Sequence, residues 1–231
     1  MHKEPFQISN KFYDYHSLSG PSSLIAPPAK YVVIFCYQGT VVIESTDSSH
    51  SLVADHICIL ETVSDLVISV QANSKCVVLI KDLVNSSQTP TFSCFPLSAC
   101  YKVSKPWGHE VWITGDTPTN NVVLKSIFIK AGTRTSLQVH KEKFESNFLV
   151  SGSAIFTTSS TPFVDKSFDY PLDNNHVGPG VCLDVSPLTV HQVTAVSDIH
   201  LIEASTNHLD DVIRLQDDSG RSDGKILSEH K

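Results

Sequence analysis

Residues 132–152 read GTRTSLQVHKEKFESNFLVSG, and this stretch decides the fold. Gln138 and His140 are two apart, so on a strand both project from one face while Val139 points the other way. KEKF separates His140 from Glu145, a length suited to a hairpin that returns the chain antiparallel. Glu145 can then face the same interior. An amide, an imidazole and a carboxylate converging there form a partial ligand set for a divalent metal that accepts mixed N/O donors: zinc, iron, manganese or nickel. A fourth ligand has to come from elsewhere. In GPGVCLDVSPLTVHQVTA (178–195), His191 begins a strand after a proline turn, and a strand crossing behind the hairpin could aim it at the same point.

The rest of the chain follows the same pattern of short β-branched runs broken by Gly, Pro, Ser, Asn and Asp. YVVIFCYQ, TVVIES, HICIL, LVISVQ and CVVLIKDL fill the first half; EVWIT, VVLKSIFIK, GVCLDV and HLIEAS follow in the second. Almost nowhere do apolar residues recur at helical spacing over three turns, which predicts an all-β protein of antiparallel strands closed into barrels or sandwiches. The Ser-, Thr- and Pro-rich stretch 83–104 reads as the junction between two units of about 100 residues each. The expected domains are 1–95 and 96–221, followed by a polar, mobile tail at 222–231. Before that tail, residues 209–215 read as a short amphipathic piece. Gly39 before TVVIES and Gly152 before SAIFTT are a loose internal echo of one barrel used twice.

Composition narrows the partners. The 231 residues carry 17 Lys plus Arg against 24 Asp plus Glu, a net charge of −7, which argues against a surface that neutralises nucleic-acid phosphates. No apolar run approaches the roughly 20 residues of a membrane-spanning helix, and the first residues, MHKEPFQISNKFYDYHS, are polar where a secretory signal is apolar. The expectation is a soluble, cytoplasmic protein that engages neither nucleic acid nor membrane. Of the six cysteines, Cys36, Cys58, Cys76 and Cys182 lie in apolar runs as small hydrophobes, and no C-x-x-C pair exists. Phosphate loops, dinucleotide turns and nucleophile elbows are also missing, which leaves ATP-driven chemistry and serine hydrolysis unsupported.

Gly132, Gln138, His140, Glu145 and Gly152 fit every spacing of the first cupin motif, G(X)5HXH(X)3–4E(X)6G, with Gln in place of the first His. Gly180, Pro187 and His191 resemble the second motif, with Leu188 where glycine is usual and Ala195 where asparagine is frequent. Within the cupin superfamily the chain resembles the small sugar-phosphate cupins of the type II mannose-6-phosphate isomerase group. The segments that carry this are KPWGHEVW (105–112), LKSIFIKAGTRTSLQVH (124–140), VHQV (190–193) and EASTNHLDDVIRLQDDSGR (203–221). The resemblance implies a double-stranded β-helix, or cupin jelly roll, and a bicupin overall. Its N-terminal barrel would be degenerate, since His50 and His56 lie outside any ligand spacing. It also implies a metal held by Gln138, His140, Glu145 and His191, zinc first among the candidates, and a phosphorylated or nucleotide-linked sugar as substrate.

Several residues read two ways. Lys125 shares strand parity with Val123, Ile127 and Ile129, so if that face is core its ammonium needs an anion; if Leu124 and Phe128 are core it faces outward. In the PWG segment Trp107 reads as a lid on a barrel end, with His109 or Glu110 reaching the pocket as the alternative. Lys125, His109 and Glu110 are thus the catalytic candidates. Arg134 reads as an exposed turn residue or a phosphate clamp, and Asp210, Asp211, Arg214, Asp217, Asp218 and Arg221 as a solvated, salt-bridged tail. Three functions remain open: a metal-dependent sugar-phosphate isomerase or epimerase, a non-catalytic sugar or metabolite binding module of polysaccharide biosynthesis, and a cupin dioxygenase. A homodimer paired through its sheets is also open.

Overall fold

The run KYVVIFCYQ becomes the strand Lys30–Gln38, buried along six consecutive residues because it has a neighbour on each edge and is covered on both faces. The computed structural model describes every residue except 47, 84–91, 115–120, 209 and 228–231. The chain divides into two compact units. One contains Glu4–Cys100 with residues 116–122; the other contains Met1–Lys3, Tyr101–Gly115 and Val123–Lys231. The division at Cys100 falls inside the Ser/Thr/Pro-rich junction, of which 84–91 lie outside the described residues.

The first unit faces a six-stranded antiparallel sheet with a four-stranded one. Alternate residues of the facing strands fill the space between them: Val32, Ile34, Cys36, Cys58, Cys76 and Val78 from the larger sheet, Val41, Ile43, Ile68 and Val70 from the smaller. This interior is mostly apolar, with His16 buried beside Val78. Cys36, Cys58 and Cys76 pack there as free thiols, as their runs predicted.

The second unit repeats the plan with a seven-stranded and a five-stranded sheet. The seven-stranded sheet includes His2–Lys3, which pairs with Val181–Val185, so the first three residues belong to this unit. Its core includes Ile129, Leu149, Phe156, Ala195 and Leu201, and Ile129 and Leu201 also border a cleft lined by polar side chains. The segment that reads as amphipathic is the strand Val212–Gln216, paired with Leu137–His140, while Leu209 lies outside the described residues. Within the tail, Asp223 accepts from the Arg214 backbone N–H at 2.9 Å and pairs with Lys166 at 2.7 Å, while Leu227 is exposed. No helix among the described residues is long and apolar enough to cross a membrane.

Both flanking glycines of the first motif have positive φ, 75° at Gly132 and 85° at Gly152, and at Gly152 a Cβ would come within 2.2 Å of the Asp198 carbonyl oxygen. Leu188, where the second motif usually has glycine, keeps the glycine conformation with φ 65°. Its backbone explains why: the N–H donates to the His140 carbonyl at 2.7 Å and the C=O accepts from Phe163 at 2.8 Å. The left-handed conformation costs a side-chain-bearing residue about 1–2 kcal/mol, and Leu188 is 40% exposed, so it regains little by burial. Leu188→Gly is expected to raise stability by up to about 1 kcal/mol; a melting temperature that falls in thermal denaturation would contradict this.

Candidate metal centre

His140 ends the strand Leu137–His140 and His191 lies in Thr189–Ala195, neighbouring strands of the five-stranded sheet in which Gln138 pairs with His191. Glu145 opens the strand Glu145–Ser151 of the facing sheet. The turn between His140 and Glu145 therefore carries the chain from one sheet to the other, and the acid meets the imidazoles across the barrel interior. One ligand atom from each of His140, Glu145 and His191 lies within 4.8 Å of the others, and all three residues are buried. His191 Nε2 is 3.0 Å from Glu145 Oε1, and His140 Nε2 is 3.7 Å from Oε2.

The second nitrogen of each ring fixes what the first presents. His140 Nδ1 donates to the Asp211 carbonyl at 3.0 Å and His191 Nδ1 to the Thr189 carbonyl at 2.9 Å. Each ring thus carries a proton on Nδ1 and turns its Nε2 toward the carboxylate. Burial and the neighbouring Lys143 lower the His140 pKa to about 3, so the ring stays neutral. Burial opposes ionisation of Glu145, but Lys143 and His191 hold it well below the usual carboxylate range. The His140 lone pair, the His191 Nε2 and the Glu145 carboxylate together form a set of donor atoms that one cation could share. A divalent ion of borderline softness suits this set of two imidazoles and a carboxylate.

Gln138 faces the same point, its Nε2 donating to Nε2 of His140 and of His191, each at 3.4 Å, while Oε1 accepts from Ser136 Oγ at 2.7 Å. In this orientation the amide is a donor to the rings. A half-turn of the amide exchanges its two ends, and the Ser136 hydroxyl can serve either one; only the turned form offers the centre an oxygen.

Around the centre runs an ionic network that the motif spacing did not reveal. Lys143 is buried, with Nζ 2.6 Å from Glu145 Oε2 and 2.8 Å from Glu203 Oε1. Asn147 donates to Glu145 Oε1 at 3.0 Å. Lys125 lies 3.3 Å from Glu110 and 3.9 Å from Glu203, with its ammonium 4.7 Å from the centre of the Trp112 ring. Lys105 approaches Glu110 at 3.7 Å. Burial works against the Glu110 charge, yet Lys125, Lys105 and the Trp112 indole N–H together hold its pKa at about 2. These groups line one cleft with Gln138, His140, Glu145 and His191, and Trp107, Arg214 and Arg221 complete its walls.

Strand parity settles the open readings. Trp112 pairs with Lys125 and Glu110 with Ile127, which puts Lys125 and Glu110 on the cleft face. His109 pairs with Phe128 and stacks on its ring at 5.3 Å, on the opposite face, and does not line the cleft. The expectation that His109 reaches the pocket is corrected by this one-residue alternation. Arg134 is outside the cleft as well, donating through Nε and Nη2 to Asp218 at 2.8 and 2.7 Å. The tail is less solvated than its charges suggest, since Arg221 and Asp217 form a buried pair at 2.6 Å. Among the described residues of the first unit, no comparable group of three His, Cys, Asp or Glu occurs.

No protein-family model matches the sequence and no curated protein does. Solved structures do match. Oxalate decarboxylase of Lactobacillus farciminis, in a formate complex, superposes with a TM-score of 0.60 at 9% identity, covering 92% of this chain and 86% of that one. Tomato vicilin gives 0.58 at 10% identity over 84% of this chain and 74% of its own. The fold is that of a bicupin. A third bicupin neighbour is the Bacillus subtilis oxalate decarboxylase whose Mn(II) centres have been studied by EPR; it gives a TM-score of 0.58 at 9% identity over 87% of this chain and 74% of that one. At such identities the likeness is one of fold.

Lys143 binds two buried carboxylates at once, so its removal strands both. Lys143→Met is expected to destabilise the protein by about 3–5 kcal/mol, read from urea denaturation. Adding Glu203→Gln should recover part of the loss, because one of the two stranded charges is then gone. A double variant no more stable than Lys143→Met would contradict the network.

Proposed function

We propose that the second barrel is a metal-dependent enzyme of carbohydrate metabolism, an aldose–ketose isomerase or related epimerase acting on a phosphorylated sugar in the cytoplasm. The observation that carries this reading is the inward-facing Nε2 pair of His140 and His191 against the Glu145 carboxylate, opening onto a cleft walled by Lys125, Glu110, Lys143 and Glu203. The resemblance of 105–112, 124–140 and 203–221 to the sugar-phosphate cupins supports the substrate class.

His140, His191 and Glu145, with Gln138 in its turned form, would hold the ion; zinc is the first candidate, and manganese gains weight from the Mn(II) centres of the Bacillus subtilis neighbour. A bound divalent ion supplies Lewis acidity that polarises a carbonyl and stabilises the enediolate of an aldose–ketose exchange. The chain's own residues supply the rest. Lys125 points an ammonium into the cleft, where it can steady a phosphate or the oxyanion that develops at the carbonyl. Glu110 keeps that ammonium oriented, being ionised at any ordinary pH. Arg214 and Arg221 add donors to the cleft wall that suit the anionic end of the substrate. Trp107 presents an apolar face to the same space, as sugar rings favour.

The test is a panel of mannose, fructose and glucose phosphates with the metal-loaded protein. The proposal expects turnover of at least one, lost on chelation and in His140→Ala, and lowered about a hundredfold in Lys125→Met. Tight binding without turnover would support the binding-module reading instead, and oxygen uptake with iron would support a dioxygenase.

A further inference from the structure

The strand Phe92–Pro96 is the outermost strand of the six-stranded sheet and, among the described residues, pairs only with His56–Glu61. Its register sets Cys94 directly opposite Cys58. Antiparallel partners project from the same face, and the two thiols are within hydrogen-bonding reach of one another. Their Cα atoms, as ladder partners, stand roughly 4.5–5.5 Å apart. That falls inside the roughly 4.4–6.8 Å that a disulfide spans. Both cysteines are free thiols, yet they differ in access: Cys58 is wholly buried and Cys94 is exposed.

We infer that Cys58 and Cys94 are a redox-modification site, closed to a disulfide by peroxide-class oxidants and reopened by thiols. Access and acidity assign the order of events. Burial, then the neighbouring Cys94, raises the Cys58 pKa and keeps it a thiol, so the exposed Cys94 reacts first. The Cys94 thiolate attacks one peroxide oxygen, the O–O bond breaks and hydroxide leaves, giving a sulfenic acid. Cys58 sulfur then attacks Cys94 sulfur. The S–S bond forms, the S–O bond breaks, and the departing hydroxide takes up the Cys58 proton as water. The two thiols together lose two electrons to the peroxide, which becomes two waters.

The same sheet contains its own control. Cys36 and Cys76 also stand opposite one another across two strands, but both are wholly buried in the apolar interior, where peroxide has no path to either. Geometry without access should give no bond. Closing the outer pair would staple an edge strand, held by one neighbour, to the body of its barrel. Phe92 on that strand stacks on His50 at 4.3 Å, and both line a cleft of the first unit with Glu61 and Leu66, so the staple fixes one wall of that cleft.

The full chain, reduced and desalted, is exposed to hydrogen peroxide, quenched with iodoacetamide and digested without reductant. The expected product is a pair of peptides joined through Cys58 and Cys94, lighter than the separate peptides by two hydrogens and parted by dithiothreitol. Cys36 and Cys76 should become alkylated only after unfolding. Cys94→Ser, a change at an exposed position, should abolish the link, and in Cys58→Ala dimedone should trap a sulfenic acid on Cys94. Cys94 found over-oxidised in the wild type with Cys58 still a thiol, Cys94 joined to a second chain, or a link between Cys36 and Cys76 would each overturn the assignment.

Discussion

A carboxylate that stays ionised inside a β-barrel is the constraint on which the second unit depends. Glu145 is 3% exposed, and a charge so far from water persists only where opposing charge and donors surround it. Lys143, Asn147 and His191 supply that surround. Each of those groups has to be anchored in turn. The ring nitrogens not facing Glu145 are bound to backbone carbonyls, and Lys143 is shared with Glu203, which also accepts from Ser205 at 3.0 Å. The interior is thus a set of mutually dependent polar groups, with little room for a change at one member that leaves the others satisfied.

The two units show what this constraint does to a common scaffold. Each faces a larger antiparallel sheet with a smaller one. In the first unit the inward positions are mostly Val, Ile, Leu, Ala and Cys, which need only close packing, with His16 the buried exception beside Val78. In the second unit the same kind of position carries Gln138, His140, Glu145, Lys125 and Glu203 beside an apolar cluster. The barrel fold tolerates both solutions because its strands are held by backbone ladders, which are indifferent to what the inward side chains do.

Most of the ligand set was legible because it depends on local periodicity. Gln138 and His140 share a face by alternation, and four residues suffice to turn the chain back to Glu145. His191 was legible only as an expectation, since its approach depends on how distant strands are ordered in a sheet. Lys125 could not be oriented from its own strand, where both faces are apolar; the cross-strand pairing with Trp112 decides it. Lys143 and Glu203 were missed although each left a mark. Lys143 is two residues from Glu145, on its face, and Glu203 lies in the apolar run HLIEAS, where a charge needs a partner. His109 fails for the same reason that Glu110 succeeds, because adjacent residues of a strand look in opposite directions. The chain ends of the second unit were illegible too: His2–Lys3 joins its sheet, and Asp223 is bound through partners far away in sequence.

The inward edges of His140 and His191 and the Glu145 carboxylate are proposed to grip a cation, which anomalous diffraction from crystals grown with manganese or zinc would locate. A strong peak is expected about 2.1 Å from Nε2 of both histidines and from a Glu145 oxygen. Crystals that bind the metal only at other places, with Lys143 and the Gln138 amide alone filling the space among these three side chains, would contradict it.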